Sequence, residues 1–155
     1  MRQYKQRRKI GIGSEGCLHK QFGSLINKYT ALNKLNCVFW SYSASGEKRT
    51  ITTASLLKAK GLQSGQPDYH FIKRLKLNYG TLSRNIDHTI YLEFKKPETI
   101  TVEGKKSAKG KQSDNQKAFE ARFKDSDNSR YYVVHSVDEA LRVLEKEGIL
   151  LTNCK

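Results

Sequence analysis

Apolar positions along the chain change their period several times, and each change marks an element. After Ser14, apolar side chains fall at Leu18, Phe22, Leu25, Ile26 and Tyr29, which traces one stripe of a helix. Ser14 suits the N-cap, and Glu15 lies in the first turn, where a carboxylate favours the helix dipole. Cys37-Val38-Phe39-Trp40-Ser41-Tyr42 predicts a strand, with Ser45-Gly46 as its turn. Ile51 to Lys60 predicts a short helix closed by Gly61, with Leu56 and Leu57 facing the core. Tyr69 to Ile72 opens a second strand that continues through residues 73–77, where apolar and basic residues partly alternate. Breaks at 78–80 and 84–87 make residues 73–88 an elaboration ahead of a returning strand, Thr89 to Lys95. Pro97 ends that strand. Ser113 begins a helix carrying Ala118, Phe119, Arg122 and Phe123, and Tyr131 to Val134 predicts a strand. Ser136 caps a last helix with Val137, Ala140, Leu141 and Leu144 inward, closed by Gly148. The order is helix, strand, helix, strand, strand, helix, strand, helix. That is a mixed α/β fold in one domain, residues 14–155, behind a basic arm, residues 1–13.

Charge changes this picture more than size does. The 155 residues carry a formal net charge of +14, which points to a polyanionic partner, nucleic acid ahead of an anionic membrane surface. No apolar run approaches the ~20 residues of a membrane span. The basic start, Met1 to Lys9, is followed by Ile10-Gly11-Ile12-Gly13, which is no signal-peptide core, so a secreted protein is not expected. Arg2, Lys5, Arg7, Arg8 and Lys9 read equally as a frayed, soluble arm and as an arm that lies on phosphates. Cys17, Cys37 and Cys154 are odd in number and widely spaced, which disfavours disulfides and a zinc knuckle and suggests free thiols in a reducing, intracellular compartment.

Two short stretches carry candidate chemistry. Gly65-Gln66-Pro67-Asp68 sets a carboxylate after a turn at the head of a strand, and Glu93-Phe94-Lys95 sets a carboxylate and an ammonium two residues apart. Side chains alternate along a strand, so Glu93 and Lys95 share one face and Leu92 and Phe94 the other. Hydrolysis of a phosphodiester needs neutralised phosphoryl oxygens and an activated water. Mg²⁺ keeps several waters and needs one or two carboxylates, so Asp68, Glu93 and the Phe94 carbonyl suffice as a ligand set. Lys95 would orient or deprotonate the water, or hold developing negative charge. Glu93 and Lys95 also read as a plain surface ion pair. Ser113-Asp114-Asn115-Gln116 is a capping box, so Gln116 closes a helix end or reaches the site. Residues 98–111 read as a mobile basic loop. Lys48, Arg49, Lys96, Lys105, Lys106, Lys109 and Lys111 are the candidate DNA contacts. His70, His88 and His135 form no ligand set by spacing, and Tyr69 reads as core.

These motifs resemble the virus-type replication-repair nuclease (VRR-NUC) domain, a branch of the PD-(D/E)XK nucleases. The family's Gly-x-Pro-Asp is matched by Gly65, Pro67 and Asp68, its Glu-x-Lys by Glu93 and Lys95, and its Ser-x-x-Gln by Ser113 and Gln116. Glu15 is the candidate for its acidic residue in the first helix. The resemblance spans residues 14–146 and departs in the long basic stretch between Asp68 and Glu93. It implies a restriction-endonuclease-like α/β core and Mg²⁺ or Mn²⁺ dependence. It also implies a homodimer, of the stand-alone viral or phage type, cutting branched DNA such as four-way junctions or flaps. Two alternatives stand beside it: a basic DNA-binding accessory protein without catalysis, and a small sequence-specific restriction enzyme.

Overall fold

The computed structural model describes residues 14–43, 51–60, 65–100, 104 and 106–151. The basic arm, Lys48, Arg49 and Lys105 lie outside them. Helix α1 spans Glu15–Ala31, and the Ser14 side chain accepts a hydrogen bond from the Cys17 amide at its start. Strand β1 (Phe39–Tyr42) and helix α2 (Ile51–Ala59) follow, then β2 (Tyr69–Tyr79) and β3 (Leu82–Phe94). A two-stranded hairpin, β4 (Thr99–Ile100) and β5 (Lys106–Ser107), precedes α3 (Asp114–Ala121), β6 (Ser129–Val134) and α4 (Val137–Lys146).

The main sheet has the order β1-β2-β3-β6. Its first two pairings are antiparallel, and β3 pairs with β6 in parallel. A parallel neighbour needs a crossover, and α3 lies in the one between β3 and β6. The chain is therefore mixed α/β, with a mostly antiparallel sheet flanked by helices.

Alternation on β3 separates two interiors. Ile90, Leu92 and Phe94 are fully buried against Leu18, Phe22 and Ile26 of α1 and Ala140 and Leu144 of α4, which build the apolar core. The other face carries Tyr91, whose ring meets Phe119 and Phe123 from α3 and its C-terminal turn and Tyr131 of β6. A strand covered on both faces buries every side chain near its end, Glu93 and Lys95 among them.

Three expectations change. Residues 73–88 are no broken elaboration, because β2 and β3 pair continuously from Tyr69↔Leu92 to Tyr79↔Leu82. The turn between them is Gly80-Thr81, with Gly80 at φ +60, the left-handed conformation that a two-residue hairpin turn favours. Beyond the reach of β1 and β6 this pair continues as a two-stranded ribbon. The stretch 98–111 contains the β4–β5 hairpin, where Thr99 and Ser107 hydroxyls bond across the strands at 2.6 Å. Leu56 faces outward, 55% exposed, so it adds nothing to the core.

Gly65 fixes how the loop before β2 meets α3. It sits at φ +83, and a Cβ there would fall onto the Asn115 carbonyl in the first turn of α3. We expect Gly65→Ala to lower the unfolding free energy by about 2 kcal/mol or more, since left-handed strain and a backbone clash add. Urea unfolding measures this, and a change below a few tenths of a kcal/mol would contradict the packing described.

Candidate functional site

The site lies where β3 ends and β2 begins. Asp68, Glu93 and Lys95 are the buried charged residues among those described, 4%, 1% and 8% exposed. The surface ion pair that sequence allowed is thus a buried one, with Lys95 Nζ donating to Glu93 Oε1 at 2.6 Å. Burying charge is costly unless it is paired and hydrogen-bonded, so the neighbours of these groups matter.

Asp68 is held by the sheet itself. Its Oδ2 accepts the Phe94 amide at 2.7 Å, so a side chain makes a rung where the ladder stops. Continued past Tyr69↔Leu92, the register would set Pro67 opposite Phe94. Proline has no N–H, so the Phe94 carbonyl lacks the donor that another residue there would supply. Both halves of the Phe94 peptide therefore serve this corner.

Gln116 does two things at once, against the expectation that one side chain would serve the cap or the site. Its Oε1 accepts the Ser113 amide at 2.9 Å, completing the capping box. Its Nε2 donates to Glu93 Oε1. A primary amide has an acceptor end and a donor end, and each is used. Glu93 Oε1 thus receives both Lys95 and Gln116, the Asp68 backbone N–H also faces the carboxylate and helps lower its pKa, and Oε2 is buried with no close hydrogen bond among the described residues. Gln112, four residues earlier, donates instead to Glu120 Oε2 at 2.9 Å.

Glu15, which alone reads as a surface acid, lines one cavity with Asp68. Its charge raises the pKa of both Asp68 and Glu93. Burial, and then the charge of Glu93, pushes the Asp68 carboxyl from 3.8 up to about 8, against the pull of the Phe94 amide. Burial also raises Glu93, opposed by Lys95. The corner is short of positive charge for the acids it holds.

His19 is the residue that sequence reasoning passed over. It lies four residues after Glu15 on α1, and its Nε2 stands 3.8 Å from Asp68 Oδ2. Its ring packs against Tyr42, Tyr69 and Phe94. The available signal was its i, i+4 relation to Glu15 at the edge of the buried stripe. The other histidines are used locally: His70 bonds Ser41 Oγ, His88 faces Glu147 at 3.5 Å and His135 faces Glu139 at 3.8 Å. Tyr69 is core, its hydroxyl donating to the His19 carbonyl.

The basic candidates divide. Lys96, Lys106, Lys109 and Lys111 are exposed. The Gly110 amide donates to the Lys96 carbonyl at 2.9 Å, which folds the segment after β5 back onto Lys95-Lys96. A Cβ at Gly110 would lie 2.9 Å from the Lys96 nitrogen, so the approach depends on glycine. Lys109 and Lys111 therefore flank the point where this segment meets Lys95-Lys96.

Comparison adds nothing to this geometry. No family model, curated protein or solved structure matches the chain. Among the described residues no three His, Cys, Asp or Glu side chains cluster closely enough to hold one ion between them. An Mg²⁺ site of two carboxylates, a carbonyl and waters does not need such a cluster. The donor set fits a hard divalent cation on two observations: the orphaned Glu93 Oε2, and the raised pKa values of two neighbouring acids. No described helix is long and apolar enough to cross a membrane.

The raised Asp68 carboxyl makes stability depend on pH. An acid with its folded pKa above its unfolded value binds its proton more tightly when folded. Its contribution is therefore complete below 3.8 and is lost as pH rises to about 8. In chelator, the native chain should lose thermal stability relative to Asp68→Asn across that interval. Parallel Tm curves for the two proteins would show that Asp68 is not perturbed.

Proposed function

We propose that the chain is a metal-dependent DNA endonuclease of the PD-(D/E)XK type, resembling the VRR-NUC branch. The observation that carries this reading is the division of labour on Glu93. One oxygen takes Lys95 and Gln116, and the other is buried with no close hydrogen bond among the described residues. A structural ion pair has no use for an orphaned buried oxygen, which costs about 1–3 kcal/mol. A cation ligand does. The mixed sheet with helices beside it is compatible with the restriction-endonuclease-like core that the motifs imply.

Asp68, Glu93 and the Phe94 carbonyl would hold Mg²⁺ or Mn²⁺. When bound, the cation supplies charge neutralisation at the phosphoryl oxygens and lowers the pKa of a water. The residues of the chain do the rest. The sheet fixes Asp68 through the Phe94 amide. Gln116 and Lys95 fix the rotation of the Glu93 carboxylate and so aim Oε2. Lys95, held 2.6 Å from Glu93, keeps an ammonium at the edge of the site, where it orients the attacking water and faces the charge developing on phosphorus-bound oxygen. Lys96, Lys109 and Lys111 hold the flanking phosphates. Two symmetric cuts in a four-way junction need two centres, so on that substrate the reading implies a homodimer.

With Mg²⁺, the protein should cut a synthetic four-way junction or a flap in preference to linear duplex. Asp68→Ala and Lys95→Ala should each lose about 100-fold or more in rate. Calorimetric titration with Mn²⁺ should show a site that Asp68→Ala loses and Lys95→Ala keeps. No cleavage of any of the three DNAs, or undiminished cleavage by the variants, would sink the proposal. Salt-sensitive DNA binding indifferent to Mg²⁺, with no Mn²⁺ site, would instead identify a non-catalytic binding protein.

A further inference from the structure

A groove of about 690 Å³ runs from Asp68 along α1. On one side the helix presents Gly16, Lys20, Gly23, Ser24 and Asn27, which share one face at spacings of four, three, one and three; most are small, which keeps the groove open. Opposite stand Trp40 and Tyr42, two residues apart on the edge strand β1 and therefore on one face of it, about 7 Å apart along the strand. Asp68 and Glu15 close its inner end.

The rings are held in place before any ligand arrives. Trp40 Nε1 donates to Thr30 Oγ1 at 3.0 Å, and the Trp40 ring lies nearly parallel to Phe71 behind it. Tyr42 packs on Tyr69 and His19. Nothing in the cleavage chemistry uses these two rings.

We propose that this groove takes an unpaired nucleotide of the DNA strand being cut, its base stacked on Trp40 and Tyr42. Three features favour that occupant. Its inner end is continuous with Asp68, so a strand with a phosphate at the acids has its neighbouring nucleotide in reach. The acids repel a second uncompensated phosphate there, whereas flat neutral bases suit an aromatic wall and Lys20 suits a phosphate at the exposed rim. A paired base presents no face to a ring, so the groove selects DNA with unpaired positions over continuous duplex. The proposal deepens the endonuclease reading and rests on it for the direction of the strand, but its binding step needs no catalysis.

The chain contains one tryptophan, so Trp40 reports directly on the groove. In chelator, where no cut can occur, a short oligothymidylate should quench its fluorescence saturably, and a blunt hairpin duplex should not. Tyr42→Ala keeps the reporter and should weaken the oligonucleotide about tenfold. Ser24→Leu is a second variant at an exposed helical position. It fills the groove and should have the same effect without changing thermal stability. With Mg²⁺, both variants should lose cleavage of a flap more than cleavage of duplex. Absent quenching, equal quenching by duplex, or full affinity in both variants would overturn the groove assignment whether or not the protein cuts DNA. Normal oligonucleotide binding with no cleavage would leave the groove and remove the endonuclease.

Discussion

A carboxylate and an ammonium are buried side by side on the central strand of a small basic protein, and much of the surrounding structure answers to that burden. Water cannot solvate Glu93, so the protein must, and it does so from distant parts of the chain. Lys95 comes from the same strand face. Gln116 comes from α3, which is placed by a capping box whose own closure uses the other end of the Gln116 amide. Gly65 lets the loop before Asp68 lie against the same helix turn. One buried oxygen thus ties together β3, α3 and the entry to β2. Serving as the start of a helix is also what gives Gln116 a fixed geometry, since an exposed glutamine would lose rotamer freedom to reach the same atom.

How much of this was legible in the sequence depended on whether the cause was local. The helices after Ser14, Ser113 and Ser136 were legible because cap and stripe sit within a few residues of each other. Asp68, Glu93 and Lys95 were legible as a set through motif spacing, and alternation gave their faces. The ribbon was not. Arg84-Asn85-Ile86-Asp87 has little strand propensity of its own, and its partners across the ladder, Arg74 beside Asp87 and Leu75 beside Ile86, hold it extended. His19 escaped for a similar reason, because its surroundings come from β1, β2 and β3 and no short window contains them. Gln116 was seen but was given a choice that its chemistry does not require. Leu56 shows the reverse error, an apolar residue in a helix read as inward when the helix leaves it in solvent.

The two faces of β3 divide the labour between stability and chemistry. Beneath α1 and α4 the packing is mainly aliphatic and aromatic, with His19 and Asp68 at its edge. Beneath α3 the layer is thinner and built from rings, Tyr91, Phe119, Phe123 and Tyr131, which give bulk and rigidity close to the acids. Burial and the charge of Glu93 raise the pKa of the Tyr131 hydroxyl. Substitutions in the aliphatic layer should act on folding, whereas those in the ring layer should act on the orientation of the carboxylates as well.

The last rung between β2 and β3 is made by a side chain, Asp68 accepting the Phe94 amide, next to a proline that has no N–H to donate. A rung of this kind is a hinge pin as well as a bond. Whatever turns the Asp68 carboxylate outward slackens its grip on the strand that carries Glu93 and Lys95, and whatever stiffens that strand restrains the carboxylate.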